Sequence, residues 1–172
     1  LGVAGLGCFG SLRAGVLLWG VHILAALVIA LALPRRAAEP PGRPGSVPAR
    51  PALVPALIAA VRDAAGTMVY ICGFVVFFLV LLRLAEGLIG PLPPLAAGVL
   101  ELTNGILRLT PDRRGFVTAA ALLGWGGLSV HCQTAAVTAG SGISLRLYVP
   151  AKAVQAALSA GLAALLAPYL LP

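Results

Sequence analysis

The run Ala14-Gly-Val-Leu-Leu-Trp-Gly-Val-His-Ile-Leu-Ala-Ala-Leu-Val-Ile-Ala-Leu-Ala-Leu33 decides the fold class. Its only ionisable side chain is His22, and it is bracketed by Arg13 on one side and Pro34, Arg35 and Arg36 on the other. A helix needs about 20 apolar residues to cross a hydrocarbon core of about 30 Å, and basic residues collect at the ends of such helices. The whole chain agrees with this stretch. Of its 172 residues 60% are apolar and only 10% charged, and the mean hydropathy is +1.02. A soluble domain is nearer half apolar and a quarter charged, so this chain lacks the polar residues to cover itself in water. The reading is an all-α polytopic membrane protein whose first partner is the lipid bilayer.

Aromatic residues make up only 6% of the chain, which leaves Ala, Leu, Val and Gly as the apolar mass. Small residues let helices approach closely in lipid, where water exclusion does not drive helix against helix. The net charge of +7 would suggest nucleic acid in a soluble protein. Here the arginines stand between apolar runs, where they orient helices and meet anionic headgroups, and no nucleic-acid partner is expected. Cys8, Cys72 and Cys132 are odd in number and lack paired spacing, so they form neither a disulfide framework nor a metal site. The chain opens at Leu1 inside a Gly-rich apolar run, unlike a signal peptide, and reads as a fragment with its upstream part missing.

Outward from the first span the character changes. Residues 34–51 contain Pro34, Pro40, Pro41, Pro44, Pro48 and Pro51 with Arg35, Arg36, Arg43 and Arg50. Proline removes backbone donors, which predicts an extended, solvated linker. Residues 52–65 carry Leu53, Leu57, Ile58 and Val61 at helical spacing, which predicts a short helix at the membrane interface. Gly66–Leu84 is the second span.

Two later segments are not plain spans. Between about 87 and 110, Pro91, Pro93 and Pro94 precede short apolar pieces that flank Glu101-Leu-Thr-Asn-Gly105. Neither piece is long enough to cross alone, so a re-entrant hairpin with a polar tip is predicted. Such backbone persists at membrane depth only within protein or beside a wet cavity. The span at about 116–139 is broken by Gly126 and Gly127, which favour unwinding. The last span covers about 148–171. Ser11-Leu12-Arg13 recurs as Ser144-Leu145-Arg146, an offset of 133 that also pairs Val16 with Val149 and Val21 with Val154. If the hairpin returns to the side it came from, the first and last spans run in opposite senses, as in the inverted repeats of many transporters.

The candidate substrate- or ion-binding residues follow from these irregular places. Glu101 is a carboxylate at bilayer depth, where ionisable groups are costly and usually functional; burial favours the neutral form of a carboxyl group, which suits proton carriage. Thr103 and Asn104 offer a hydroxyl and an amide to a ligand, or alternatively cap the next half-helix; Gly105 permits a tight turn. Gly126 and Gly127 expose a helix end, and Ser129 with Gln133 share a face at i and i+4. Ser129 and Gln133 equally suit interhelical hydrogen bonds. His131 points elsewhere and reads as a packing group, and Lys152 as an interfacial anchor. No hydrolase elbow, phosphate loop, zinc motif or dinucleotide fingerprint appears, so neither an enzyme nor a cofactor is expected.

Glu101-Leu-Thr-Asn-Gly105 and Leu123-Gly-Trp-Gly-Gly-Leu-Ser-Val-His131 with Gln133 resemble the YlbJ-type sporulation integral membrane proteins of the nucleoside-recognition, or Gate, domain group. Ile71-Cys-Gly-Phe-Val-Val-Phe-Phe78 and Phe9-Gly-Ser-Leu-Arg-Ala-Gly15 carry the same resemblance. It implies a distant likeness to concentrative nucleoside transporters, with inverted repeats, re-entrant hairpins and broken helices. Residues 1–33 would then end a first repeat, 34–51 link, and 52–172 form the second repeat of a carboxy-terminal half. The resemblance further implies a bacterial membrane, such as the outer forespore membrane, and a permease for a small anionic metabolite, dipicolinic acid best of all, with a proton or sodium as coupling ion. A nucleoside or nucleobase transporter and a non-transporting sporulation scaffold or sensor are the alternatives. Oligomeric state stays open.

Overall fold

The computed structural model describes residues 2–32, 52–139, 141 and 145–170. The Pro/Arg-rich linker at 34–51, and Ser144 of the Ser-Leu-Arg repeat, lie outside the described residues. Every described element is helical: a π-helix Gly2–Cys8, then α1 (Leu12–Ala32), α2 (Leu53–Ile89), α3 (Pro94–Leu100), α4 (Leu102–Leu107), α5 (Arg113–Trp125), α6 (Gly127–Thr138) and α7 (Tyr148–Leu170). Among the described residues, four helical stretches are long and apolar enough to cross a membrane: α1, α2, α5 joined to α6, and α7.

The packing is that of helices in lipid. Eight of the fifteen buried apolar residues among those described are alanine, so backbones meet across small side chains. The large aliphatics point outward, with Leu31, Val69 and Leu88 at 75%, 72% and 86% exposure. Water would not tolerate so continuous an apolar surface; acyl chains would. Phe116, Leu18, Leu122 and Ile106 fill what core there is, between α1, α4 and α5.

α2 differs from the sequence expectation. The short interfacial helix placed at 52–65 and the span after it form one helix of 37 residues. At 1.5 Å per residue this is about 55 Å, well beyond a core of about 30 Å. Gly66 is the one weak helix former at the expected boundary, and a lone glycine costs only about 1 kcal/mol, too little to end a helix with good formers on both sides.

Beyond α2 the chain folds back on itself. Glu101 is extended, with φ −136° and ψ 112°, and separates α3 from α4. In a continuous helix Gly98 and Gly105 would be about 10 Å apart. Here a Cβ on Gly105 would overlap the Gly98 backbone, so the two short helices lie against each other with Glu101 at the turn. Both open ends of this hairpin are held at one end of α2. The Glu86 carboxylate pairs with Arg108, which follows α4, and accepts the Leu92 amide, which precedes α3, at 3.4 Å.

α5 and α6 are two parts of one interrupted helix. Gly126 and Gly127 have φ of 92° and 76°, a region costly for L-residues and open to glycine. α7 runs antiparallel to both α5 and α1. Ala156 sits at Gly124, while Ala164 and Ala167 lie beside Val117 and Thr118. Ile29 and Ala32 at the end of α1 meet Leu147, Pro150 and Ala151 at the start of α7. The first and last spans therefore run antiparallel to each other.

Candidate functional site

Glu101 builds the tip of the hairpin. Its side chain is 2% exposed, and its carboxylate accepts three hydrogen bonds: from the Thr103 amide at 3.1 Å, the Asn104 amide at 2.8 Å and Asn104 Nδ2 at 2.7 Å. The first amides of a helix have no intrahelical acceptor, and a carboxylate there also faces the positive end of the helix dipole. The sequence alternative assigned capping to Thr103 or Asn104. The structure reverses the roles: Glu101 is the cap, and those two residues are its donors. The amino end of α4 is consequently filled from within. Thr103 is exposed, Asn104 half-buried and Gly105 buried.

The break in α5–α6 lies against this tip. A Cβ on Gly127 would stand 3.1 Å from the Leu102 amide nitrogen and 3.2 Å from the Gly98 carbonyl oxygen. Two interrupted helices thus meet at their interruptions, Leu100–Leu102 on one and Gly126–Gly127 on the other. Ser129 is buried and Gln133 half-buried on α6. Neither makes a hydrogen bond to Glu101, so the tip and these two residues are neighbours through backbone packing rather than one hydrogen-bonded set. The amino end of α6, unlike that of α4, receives no side-chain cap.

A second polar group surrounds the far side of the same break, and sequence reading missed most of it. Lys152 does not reach outward toward water as an interfacial anchor would. Its Nζ donates to Gln155 Oε1 at 2.9 Å, along α7 toward the interior, and its Cε lies 3.6 Å from the place a Gly126 Cβ would occupy. Gln155 Nε2 donates to the His22 carbonyl at 3.3 Å and approaches His22 Nδ1 at 3.5 Å. His131 packs edge-on against Trp125 and Tyr148, at ring separations of 4.5 and 5.3 Å, which agrees with its reading as a packing group. Both of its nitrogens, and Trp125 Nε1, are nonetheless buried without a hydrogen-bond partner. One signal was available in the sequence: the offset of 133 that relates the two Ser-Leu-Arg motifs also pairs His22 with Gln155.

A cleft of about 450 Å³ opens at the base of the hairpin, lined by Arg83, Glu86, Pro91, Asn104, Leu107 and Arg108. Asn104 therefore faces the cleft while holding Glu101. Close by, Asp112 begins α5: its Oδ1 accepts the Gly115 amide at 2.6 Å and its Oδ2 the Thr110 hydroxyl at 2.8 Å. These hydrogen bonds, the backbone one first, hold the Asp112 carboxyl below the usual aspartate range. The chain matches no protein-family model, and comparison with curated proteins and with solved structures gives no match.

Proposed function

We propose that the chain is part of a membrane permease for a small anionic metabolite, with the contact between the two broken helices as the moving part of its site. The observation that carries this reading is the approach of Gly127 to Leu102 and Gly98. Discontinuous helices meeting within a bundle are how many transporters present backbone groups to substrate at mid-membrane. The resemblance to the YlbJ-type proteins makes dipicolinic acid the first substrate to try.

On this reading the hairpin α3–α4 is re-entrant, with Glu86 holding both of its ends at one face. α1 and α7 are inverted copies about an axis through the His22–Gln155 contact, because residues equivalent under the offset of 133 would meet on such an axis. Cysteines placed at Arg83 and Arg113 in a cysteine-free background are expected to react with an impermeant maleimide from the same side of the membrane. Labelling from opposite sides would turn the hairpin into a full crossing and make the copies parallel.

Glu101 is the coupling group in this proposal. Both carboxylate oxygens accept N–H donors, so adding a proton turns one acceptor into a donor facing an amide. Proton uptake would therefore loosen the tip, tying protonation to movement of the hairpin. The test is flux through the full-length protein in proteoliposomes. The panel is dipicolinate, isophthalate, uridine and adenine, compared with a Glu101→Gln, Gln133→Ala double variant. Uptake of the dicarboxylates, lost at least about tenfold in the double variant, is the expected result. Selective uridine uptake would move the protein to the nucleoside class. Wild-type function in sporulating cells without flux of any panel member would favour a scaffold.

A further inference from the structure

The hairpin tip is occupied by the protein's own carboxylate, which leaves open where the carboxylate of an anionic substrate would sit. The other side of the Gly126–Gly127 turn has the complementary chemistry. Four donor groups border it. Lys152 brings an ammonium group whose carbon stem passes the turn, and no carboxylate pairs with it among the described residues. Trp125 Nε1 is buried and unpartnered. His131 is 9% exposed, reaches back across the turn to the Trp125 ring, and has two unpartnered nitrogens. At least one of them carries a hydrogen in any protonation state. The fourth is the amino end of α6, a helix of 12 residues without a side-chain cap. Buried donors usually have acceptors, and the Trp125 and His131 nitrogens have none among the described residues. A charged group in a membrane span usually pairs with an opposite charge or with carbonyl oxygens; Lys152 has the neutral Gln155 amide oxygen.

We infer that Lys152, Trp125, His131 and the amino end of α6 form the site for a carboxylate group of a small anion. This rests on the permease reading above and assigns its charged subsite. Lys152 and Tyr148 are four residues apart on α7 and so share a face, and Tyr148 packs on His131. An anion there would join α6 to α7 across the break. Gln155 holds Lys152 in place and, through His22, ties the subsite to α1.

The alternative to a ligand is a purely structural lysine, interacting with the carbonyl end of α5. The two are separable. The full chain carrying Trp19→Phe leaves Trp125 as the only tryptophan. Isophthalate is then expected to change its emission saturably in detergent, and neutral benzamide is not. Lys152→Met, which keeps the apolar stem, is expected to weaken isophthalate binding about 10- to 100-fold, the loss of one charge-assisted hydrogen bond, with an unchanged melting temperature. Lys152→Arg is expected to recover most of the affinity. Isophthalate binding as tight in Lys152→Met as in wild type would overturn the subsite while leaving the permease intact. A fall in melting temperature in step with affinity, repaired by Arg without recovered binding, would assign Lys152 to structure and overturn it equally. If wild type binds uridine but not isophthalate, the anion reading fails first and the subsite with it.

Discussion

Gly105→Val is expected to separate α3 from α4 and lower the stability of the detergent-solubilised protein by about 3 kcal/mol or more. Inserting bulk into a well-packed site costs about 1–3 kcal/mol when side chains can shift. Here they cannot shift, because the atoms in the way belong to the Gly98 backbone and the Pro94 carbonyl. The hairpin must open, and with it the support under Glu101. Size-exclusion profiles and thermal melts would read this directly. Gly73→Ala is the control: nothing lies within 4 Å of an added Cβ there, and the substitution gains about 1 kcal/mol of helix propensity. A melting temperature for Gly105→Val equal to that of wild type would show that the two short helices do not pack as described.

Glu101→Ala is expected to have the largest effect on function. It removes the acceptor of three N–H groups at a buried turn. A lost cap costs about 0.5–2 kcal/mol, and each buried donor left unpaired costs about 1–3 kcal/mol, so a net loss of about 3 kcal/mol is reasonable after the tip relaxes. Glu101→Gln keeps one oxygen as acceptor but places a donor opposite the others. Its expected stability loss is about 1 kcal/mol. The pair separates the two roles of the residue. If Glu101 only caps α4, transport should fall in Ala and survive in Gln with its pH dependence intact. If it also couples a proton, Gln should transport with little dependence on pH. Proteoliposome uptake across a pH gradient, measured for both variants, decides between them, and pH-dependent uptake in Gln would end the coupling role.

Much of this molecule is legible from its sequence because the membrane imposes simple rules. An uninterrupted apolar run such as Ala14–Leu33 has one stable solution in lipid, a helix that satisfies its own backbone. The interruptions were legible for the same reason. Glu101 and the Gly126–Gly127 pair stand where no plain span would carry them, and both are helix breaks in the structure. The single length of α2 was not legible, because polarity changes at Arg62 and Asp63 without any residue that stops a helix.

The roles of individual side chains depended on contacts that no local pattern contains. The sequence placed the cap on Thr103 or Asn104, because short polar side chains suit a helix start, whereas the structure gives it to the Glu101 carboxylate with those two residues as its donors. Lys152 looked like an interfacial anchor because the sequence cannot say which way a long side chain runs along its helix. The pairing of Gln155 with His22, 133 residues apart, exists only because α7 packs antiparallel on α1. The sequence alone determined that this is a bundle of apolar helices with two deliberate breaks. Only the tertiary structure decided that the breaks touch, that one helix end is capped by Glu101, and that the other has no side-chain cap and begins beside Lys152. Periodicity and composition act within a helix, whereas the partners of buried polar groups are chosen between helices.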